Sequence, residues 1–232
     1  MITLAHVHAA RAAIAGRLHR TPLLSSRSLG ERAGCTAYLK AESLQKTGSF
    51  KPRGVLARLR RLTPEERARG LVTVSAGNHA QALAFAAAAE GVPCTVVMPA
   101  TASPAKVAAS RAYGATVLLH GTVYDAFEKC DELRRERGLT LIHPFDDPDI
   151  LAGQGTVGLE IVEDLPDVDA VVVGAGGGGL LCGIAVAVKA LRPAARVYGV
   201  EPTGAACLRA ALDAGRPVRL DRIETIADGL AP

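Results

Sequence analysis

The 232 residues carry a net charge of only +4, from 27 Lys and Arg against 23 Asp and Glu, with basic residues interleaved with acids rather than clustered. That balance argues against a nucleic-acid partner. At 49% hydrophobic with 3% aromatics and no Trp, the chain reads as a globular protein whose core rests on Ala, Val, Leu and Ile. The five cysteines, Cys35, Cys94, Cys130, Cys182 and Cys207, are odd in number and lack metal-ligand spacing. They read as free thiols in a reducing compartment. With no apolar leader near the N-terminus, the expected setting is the cytoplasm, with no membrane partner.

The first informative segment is Lys46-Thr47-Gly48-Ser49-Phe50-Lys51-Pro52-Arg53. Ser49 is a good N-cap, Pro52 is tolerated in a first turn, and Val55, Leu56 and Leu59 continue with helical spacing. Lys51 is therefore expected in the first turn of a helix, where the dipole disfavours a second positive charge. Burial there would lower its pKa and leave some free amine, as a Schiff-base lysine requires. The alternative is a solvated lysine that happens to follow a cap.

From residue 71 onward, short β-branched runs alternate with helical stretches, the pattern of parallel α/β units. Strands are expected at 71–74, 94–98, 116–119, 139–142, 170–173 and 196–200. Helices are expected at 79–90, 104–113, 124–137, 155–163, after the loop at 174–180 as far as 191, and at 205–214. The uncharged stretch 170–188 is long enough to span a membrane. Its central glycines make strand, loop and helix the better reading. Chain crossings are placed near 62–64 and in the Pro- and Asp-rich segment 144–149. They divide the chain into a large domain, 1–64 with 146–232, and a small α/β domain, 65–145. Ligand sites in such folds lie at the carboxyl ends of the strands.

Two loops there complement Lys51. Ser75-Ala76-Gly77-Asn78-His79 follows one strand and opens a helix. Its N–H groups and the Ser75 hydroxyl could hold a carboxylate, and Asn78 could donate to a phenolate oxygen. An ordinary helix cap is the rival reading. Gly174-Ala175-Gly176-Gly177-Gly178-Gly179-Leu180 follows another strand. Consecutive glycines let backbone N–H groups converge on a phosphate at a helix N-terminus. The same loop fits a dinucleotide fingerprint, with Glu201 placed for a ribose, which would make the protein a nucleotide-binding oxidoreductase. A dinucleotide explains one loop. Pyridoxal 5′-phosphate (PLP), which needs a phosphate cradle, a lysine, a donor to its 3′ oxygen and a carboxylate pocket, explains all three features.

On these segments, together with 93–99, His143, 152–156 and 226–229, the chain resembles the tryptophan synthase β family of PLP enzymes, fold type II. Within that family it resembles the threonine/serine dehydratases and their relative serine racemase. The resemblance implies two open parallel-sheet α/β domains with PLP at their interface. It implies Lys51 as the Schiff-base lysine and Phe50 lining the cofactor. Asn78 would bond the 3′ oxygen, and Gly176, Gly177, Gly178, Gly179 and Leu180 would hold the phosphate. Ser75, Ala76, Gly77, Asn78 and His79 would form the substrate-carboxylate loop.

The implied activity is elimination of water from L-threonine or L-serine to a 2-oxo acid and ammonia, by a homo-oligomer. Serine racemase or another β-lyase is the alternative. Racemases of this group carry a serine acid/base where this chain has Ala76, which favours elimination. Cys207 stands where their metal cluster has an acid, so no metal is expected, although Glu201 and the Ala205 carbonyl match. The family also continues beyond 226–229. The resemblance thus implies a large domain truncated at its C-terminus, and an inactive fragment is a further reading.

Overall fold

A computed structural model describes residues 1–231. Its elements, in chain order, are α1 (Leu4–Ile14), β1 (Leu23–Ser25), α2 (Arg27–Ala33), β2 (Tyr38–Lys40), α3 (Lys51–Leu59), α4 (Pro64–Arg69), β3 (Leu71–Val74), α5 (Asn78–Glu90), β4 (Cys94–Met98), α6 (Pro104–Ala112), β5 (Thr116–Leu119), α7 (Val123–Arg137) and β6 (Thr140–Leu141). They continue with α8 (Pro148–Asp164), β7 (Ala170–Gly174), α9 (Gly179–Leu191), β8 (Arg196–Val200) and α10 (Cys207–Ala214). The fold is α/β with parallel sheets. Among the described residues, no helix is long and apolar enough to cross a membrane.

The larger sheet has strand order β5-β4-β3-β6, all parallel. Every residue of β3 is buried, because helices cover both faces. Leu71, Val96 and Met98 point to one side, with Leu83 and Ala87 of α5 and Val107 of α6. Val72, Val74 and Val97 point to the other, with Ala126, Cys130 and Leu133 of α7. The period-2 alternation of the strands thus decides which helix each side chain meets.

The second parallel sheet pairs β7 with β8, from Ala170↔Arg196 to Gly174↔Val200. One face packs Val171, Val173 and Val197 on Val157 and Ile161 of α8 and Ile184 and Val188 of α9. The other leaves Val172, Tyr198 and Val200 exposed.

Three sequence expectations need correction. The helix expected at 155–163 begins at Pro148. Asp147 caps it, its Oδ1 accepting from Asp149 N at 2.8 Å and Ile150 N at 3.1 Å, so much of the presumed break at 144–149 is a helix start. Gly153, Gly155 and Gly158 do not break this helix, because they let it approach its neighbours closely. A Cβ at Gly153 would meet Arg53 O of α3 at 2.5 Å, and one at Gly155 would meet Gly183 O of α9 at 2.9 Å. Ser49 does not cap α3: the N-cap is Phe50, and the Ser49 hydroxyl is buried without a partner. The expected helix at 205–214 starts at Cys207, after a single 3-10 turn, Thr203–Ala205. Helix α1 and the antiparallel β1–β2 pair are additions to the sequence reading.

Candidate active site

The approach to Lys51 is a constrained turn. Thr47 (φ 65°) is the one non-glycine residue in the left-handed region among those described, and Gly48 (φ 71°) follows it. A β-branched residue there is strained, and its hydroxyl is buried without a partner. The turn is pinned at its root by Gln45, whose Nε2 donates to His19 O (2.7 Å) while its Oε1 accepts from His19 N (3.0 Å). Beyond the turn, Arg53 anchors the helix. Its guanidinium, 2% exposed, donates Nε to Glu42 Oε2 (2.8 Å) and Nη1 to Glu160 Oε1 (2.6 Å).

Lys51 is thereby held as the first residue of α3. Its Nζ donates to Pro144 O at 2.9 Å and lies 5.3 Å from the Phe50 ring centroid. Burial lowers its pKa from 10.5 to about 8. At neutral pH about a tenth of the molecules therefore hold a free amine, against under a thousandth for an exposed lysine.

Pro144 is positioned by a turn that His143 organises. His143 Nδ1 accepts from Asp146 N at 2.8 Å and from Phe145 N at 3.3 Å, so the ring nitrogen left to carry hydrogen is Nε2. The ring stands edge-on to Phe145 at 4.8 Å. Phe145 in turn lies against Gly177 and Gly179, where the built Cβ positions would collide with it.

The glycine loop leaves β7 at Gly174 and enters α9 through Gly178, the N-cap, at φ 82°. The first intrahelical bond is Cys182 N to Gly178 O, so the N–H groups of Gly179, Leu180 and Leu181 have no partner inside the helix. Gly176 adjoins Leu230, whose carbonyl oxygen would stand 3.1 Å from a Cβ there. Phe50, Lys51, Pro144, Phe145, Gln154, the run Gly174 to Leu181, Gly229 and Leu230 line one cavity of about 60 Å³.

Of the expected site residues, the structure therefore brings together Phe50, Lys51, Gly176, Gly177, Gly178, Gly179 and Leu180. Ser75, Ala76, Gly77, Asn78 and His79 do not line that cavity. They form the turn into α5, where Ser75 Oγ accepts from Gly77 N at 3.1 Å and Asn78 is exposed. The His79 ring is buried, with Nε2 3.0 Å from Ile142 O, and burial holds its pKa down to about 3. Its side chain is engaged with the end of β6, which leaves the backbone for any ligand.

Gln154, Pro144, Phe145 and Leu230 were not legible as lining residues, since only the helix crossing, the 143–146 turn and the 228–230 turn bring them in. Both carboxylate oxygens of Glu201 are engaged, Oε1 with Leu208 N (2.8 Å) and Oε2 with Arg209 N (2.9 Å). Glu201 caps α10 and is not free to meet a ribose.

These features fit PLP. A side-chain-free loop at a helix N-terminus suits a phosphate, a buried lysine of lowered pKa suits an aldehyde, and the cavity contains a buried amide, Gln154, whose Oε1 has no partner.

Comparison with known proteins agrees with this geometry. The chain is 47% identical to an L-threonine ammonia-lyase of Thermotoga maritima over 232 residues, 100% of this chain and 58% of that one. It is 43% identical to a serine racemase of Mus musculus, covering 99% of this chain and 69% of the relative. A solved T.th. threonine deaminase superposes with a TM-score of 0.93 at 47% identity, covering 99% of this chain and 75% of that structure. The chain thus spans little more than half the length of the first of these relatives. With a model of the pyridoxal-phosphate dependent enzymes matching residues 14–232, the chain belongs to that family.

Proposed function

We propose that this chain carries the lysine and the phosphate cradle of an enzyme that eliminates water from L-threonine or L-serine, the released enamine then taking up water to give 2-oxobutyrate or pyruvate and ammonia. The single observation that carries the reading is the placement of the half-buried Lys51 amine, its pKa lowered, in one cavity with the glycine loop. Gly176, Gly177, Gly178, Gly179 and Leu180 would hold the phosphate, Phe50 would flank the ring, and Lys51 would meet the aldehyde. PLP supplies, when bound, the electron sink that makes a Cα–H bond breakable. The residues do the rest. The Lys51 amine takes the Cα proton, and the Pro144 carbonyl holds that amine in place. Burial under Phe50 and Phe145 keeps water away from it. The turn from Ser75 to His79 would receive the substrate carboxylate on the N–H groups at the start of α5, with Asn78 donating to the 3′ oxygen of PLP.

This reading includes the two-domain division, residues 1–64 with 146–232 and residues 65–145, with PLP between them. The separate four-stranded and two-stranded parallel sheets support it. Five free cysteines support a reducing, cytoplasmic setting. The exposed Val172, Tyr198, Val200 and Leu212 support a homo-oligomer.

The likeness to serine racemase gives a second reading, racemisation. Ala76 favours elimination, because its methyl group offers no proton to the face away from Lys51.

The test is to add PLP to the purified chain, reduce with borohydride and map the adduct by mass spectrometry, then assay L-threonine for 2-oxobutyrate and L-serine for pyruvate and D-serine. We expect the adduct on Lys51, its loss in Lys51→Ala, and 2-oxo acid in excess of D-serine. An adduct elsewhere, or D-serine as the main product, overturns the reading.

A further inference from the structure

The amide of Gln154 is the one side-chain group of the cavity that is both deeply buried and without a hydrogen-bond partner. The residue is 1% exposed and its Oε1 has no partner. A primary amide left so in a protein interior is destabilising, and such groups call for a ligand or water. The surroundings indicate which. Gln154 belongs to α8, and its amide fills the space left by the missing side chain of Gly54, where a Cβ would stand 2.5 Å from Nε2. Gly54 lies three residues after Lys51, on the same face of the first turn of α3. On its other side the Gln154 backbone adjoins Gly183, in the second turn of α9. Gln154 therefore lies between the two helices that carry Lys51 and the glycine loop, its amide against α3 and its backbone against α9.

Both helices begin at the cavity with their positive dipole ends, and the start of α9 adds the N–H groups of Gly179, Leu180 and Leu181, which makes a site for an anion. The lysine already has the Pro144 carbonyl as acceptor. A neutral amide with no protein bond to keep it in one orientation turns about its last torsion to present either NH₂ or C=O, as the ligand requires.

We propose that Gln154 is a cofactor-binding residue whose amide NH₂ donates a hydrogen bond to the phosphate held by the glycine loop. This rests on the PLP reading above and adds to it a side-chain contact on an otherwise backbone-only cradle. An amide adds a donor there without a charge and, unlike a lysine or arginine, leaves the Lys51 pKa unaffected by a second cation.

The experiment measures equilibrium binding of PLP and of pyridoxal, which lacks the phosphate, to the wild-type chain and to Gln154→Met and Gln154→Glu. Methionine keeps the length and buried volume while removing both polar atoms, and glutamate keeps the shape while setting a carboxylate against a dianion. We expect Gln154→Met to weaken PLP about tenfold or more, the loss typical of a hydrogen bond to a charged group, with pyridoxal affinity unchanged. Gln154→Glu should weaken PLP by about a further tenfold at neutral pH, with its deficit against wild type at the same pH narrowing at pH 5 as the carboxyl protonates. Thermal melts of the ligand-free variants check that the fold is kept. If methionine misfolds, the pH-dependent recovery in the glutamate variant carries the test alone.

Equal weakening of PLP and pyridoxal would place the amide at the aldehyde end and overturn the proposal. PLP binding to both variants as tight as to wild type would overturn it too. In those two cases the broader reading survives through borohydride trapping at Lys51. A wild-type chain that binds no PLP defeats both.

Discussion

The Phe145 ring rests on the Cα of Gly177, in the space any larger residue at 177 would need. The aromatic thus touches the middle of the glycine loop, and the backbone of Leu230 closes on Gly176 beside it. The cavity of about 60 Å³ between them is far below the few hundred Å³ of a site for a whole cofactor.

Phe145 therefore stands beside the loop that would receive a phosphorylated pyridine ring. Phe145→Ala is expected to speed PLP association about tenfold, roughly 1.4 kcal/mol off the barrier. Stopped-flow absorbance measures this. An unchanged association rate would show that the ring does not limit entry.

Lys51 gives a pH signature. Its folded pKa of about 8 lies below 10.5, so trapping of PLP by borohydride should rise with pH to half its maximum near 8. The same shift bears on stability. Between these two pH values the unfolded chain binds more protons than the folded one, so stability rises with pH through that window. The penalty of the buried ammonium is fully present below about pH 8 and gone above about pH 10.5. Lys51→Met should then stabilise the ligand-free protein by about 3 kcal/mol at pH 7, at 1.36 kcal/mol per unit, and by nothing near pH 11. Urea melts at the two pH values decide it. Equal gains at both would mean that added apolar surface, and not the charge, is responsible.

The strands were readable to the residue at 94–98, 116–119 and 196–200, because each is a short β-branched or apolar run with sharp ends. Helix α8 was read as starting seven residues late for a definite reason. Gly153 and Gly155 look like loop residues in a sequence, and only contact with Arg53 O, Val7 and Gly183 O shows that they are flattened helix surface. Lys51 and the glycine loop were legible because their chemistry is local. Glycine repeats and a lysine after a turn carry their meaning in order along the chain. Gln154 and Phe145 were not legible as cavity residues. An unsatisfied amide or a ring over a glycine exists only after distant segments meet. The free Glu201 expected for a nucleotide was wrong for the same reason, since its role as a cap depends on where α10 begins.

Arg53 ties α3 to the 3-10 turn Glu42–Leu44 and to α8 through Glu42 and Glu160, and Lys40 of β2 also reaches Glu160 at 2.7 Å. Removing only the Arg53 cation would leave the largely buried Glu42 carboxylate without a cation and Glu160 with Lys40 alone. Arg53→Met should cost about 3–5 kcal/mol in urea unfolding, the usual loss on breaking a buried pair. Arg53→Lys should recover little of it, because an ammonium cannot serve both carboxylates with the planar fork. Loss below 1 kcal/mol in the methionine variant would mean that the network contributes little net stability.

Gly155 lets α8 meet two neighbours at once. A Cβ there would stand 2.8 Å from Val7 Cγ2 of α1 and 2.9 Å from the Gly183 carbonyl oxygen of α9. The carbonyl belongs to a helix backbone and does not yield, so Gly155→Ala has to push α8 and α9 apart. Overpacking of this kind costs about 1–3 kcal/mol, although alanine alone would favour a helix by nearly 1 kcal/mol. The sign of the measured change therefore separates the two effects. Gly229→Ala, where a Cβ meets nothing within 4 Å, is the control and should stay within about 0.5 kcal/mol. The α8–α9 crossing also sets the distance from Gln154 to the glycine loop, so Gly155→Ala should lower PLP affinity more than pyridoxal affinity. If Gly155→Ala instead raises the unfolding midpoint, the helices can part without strain, and the glycine is not what holds them close.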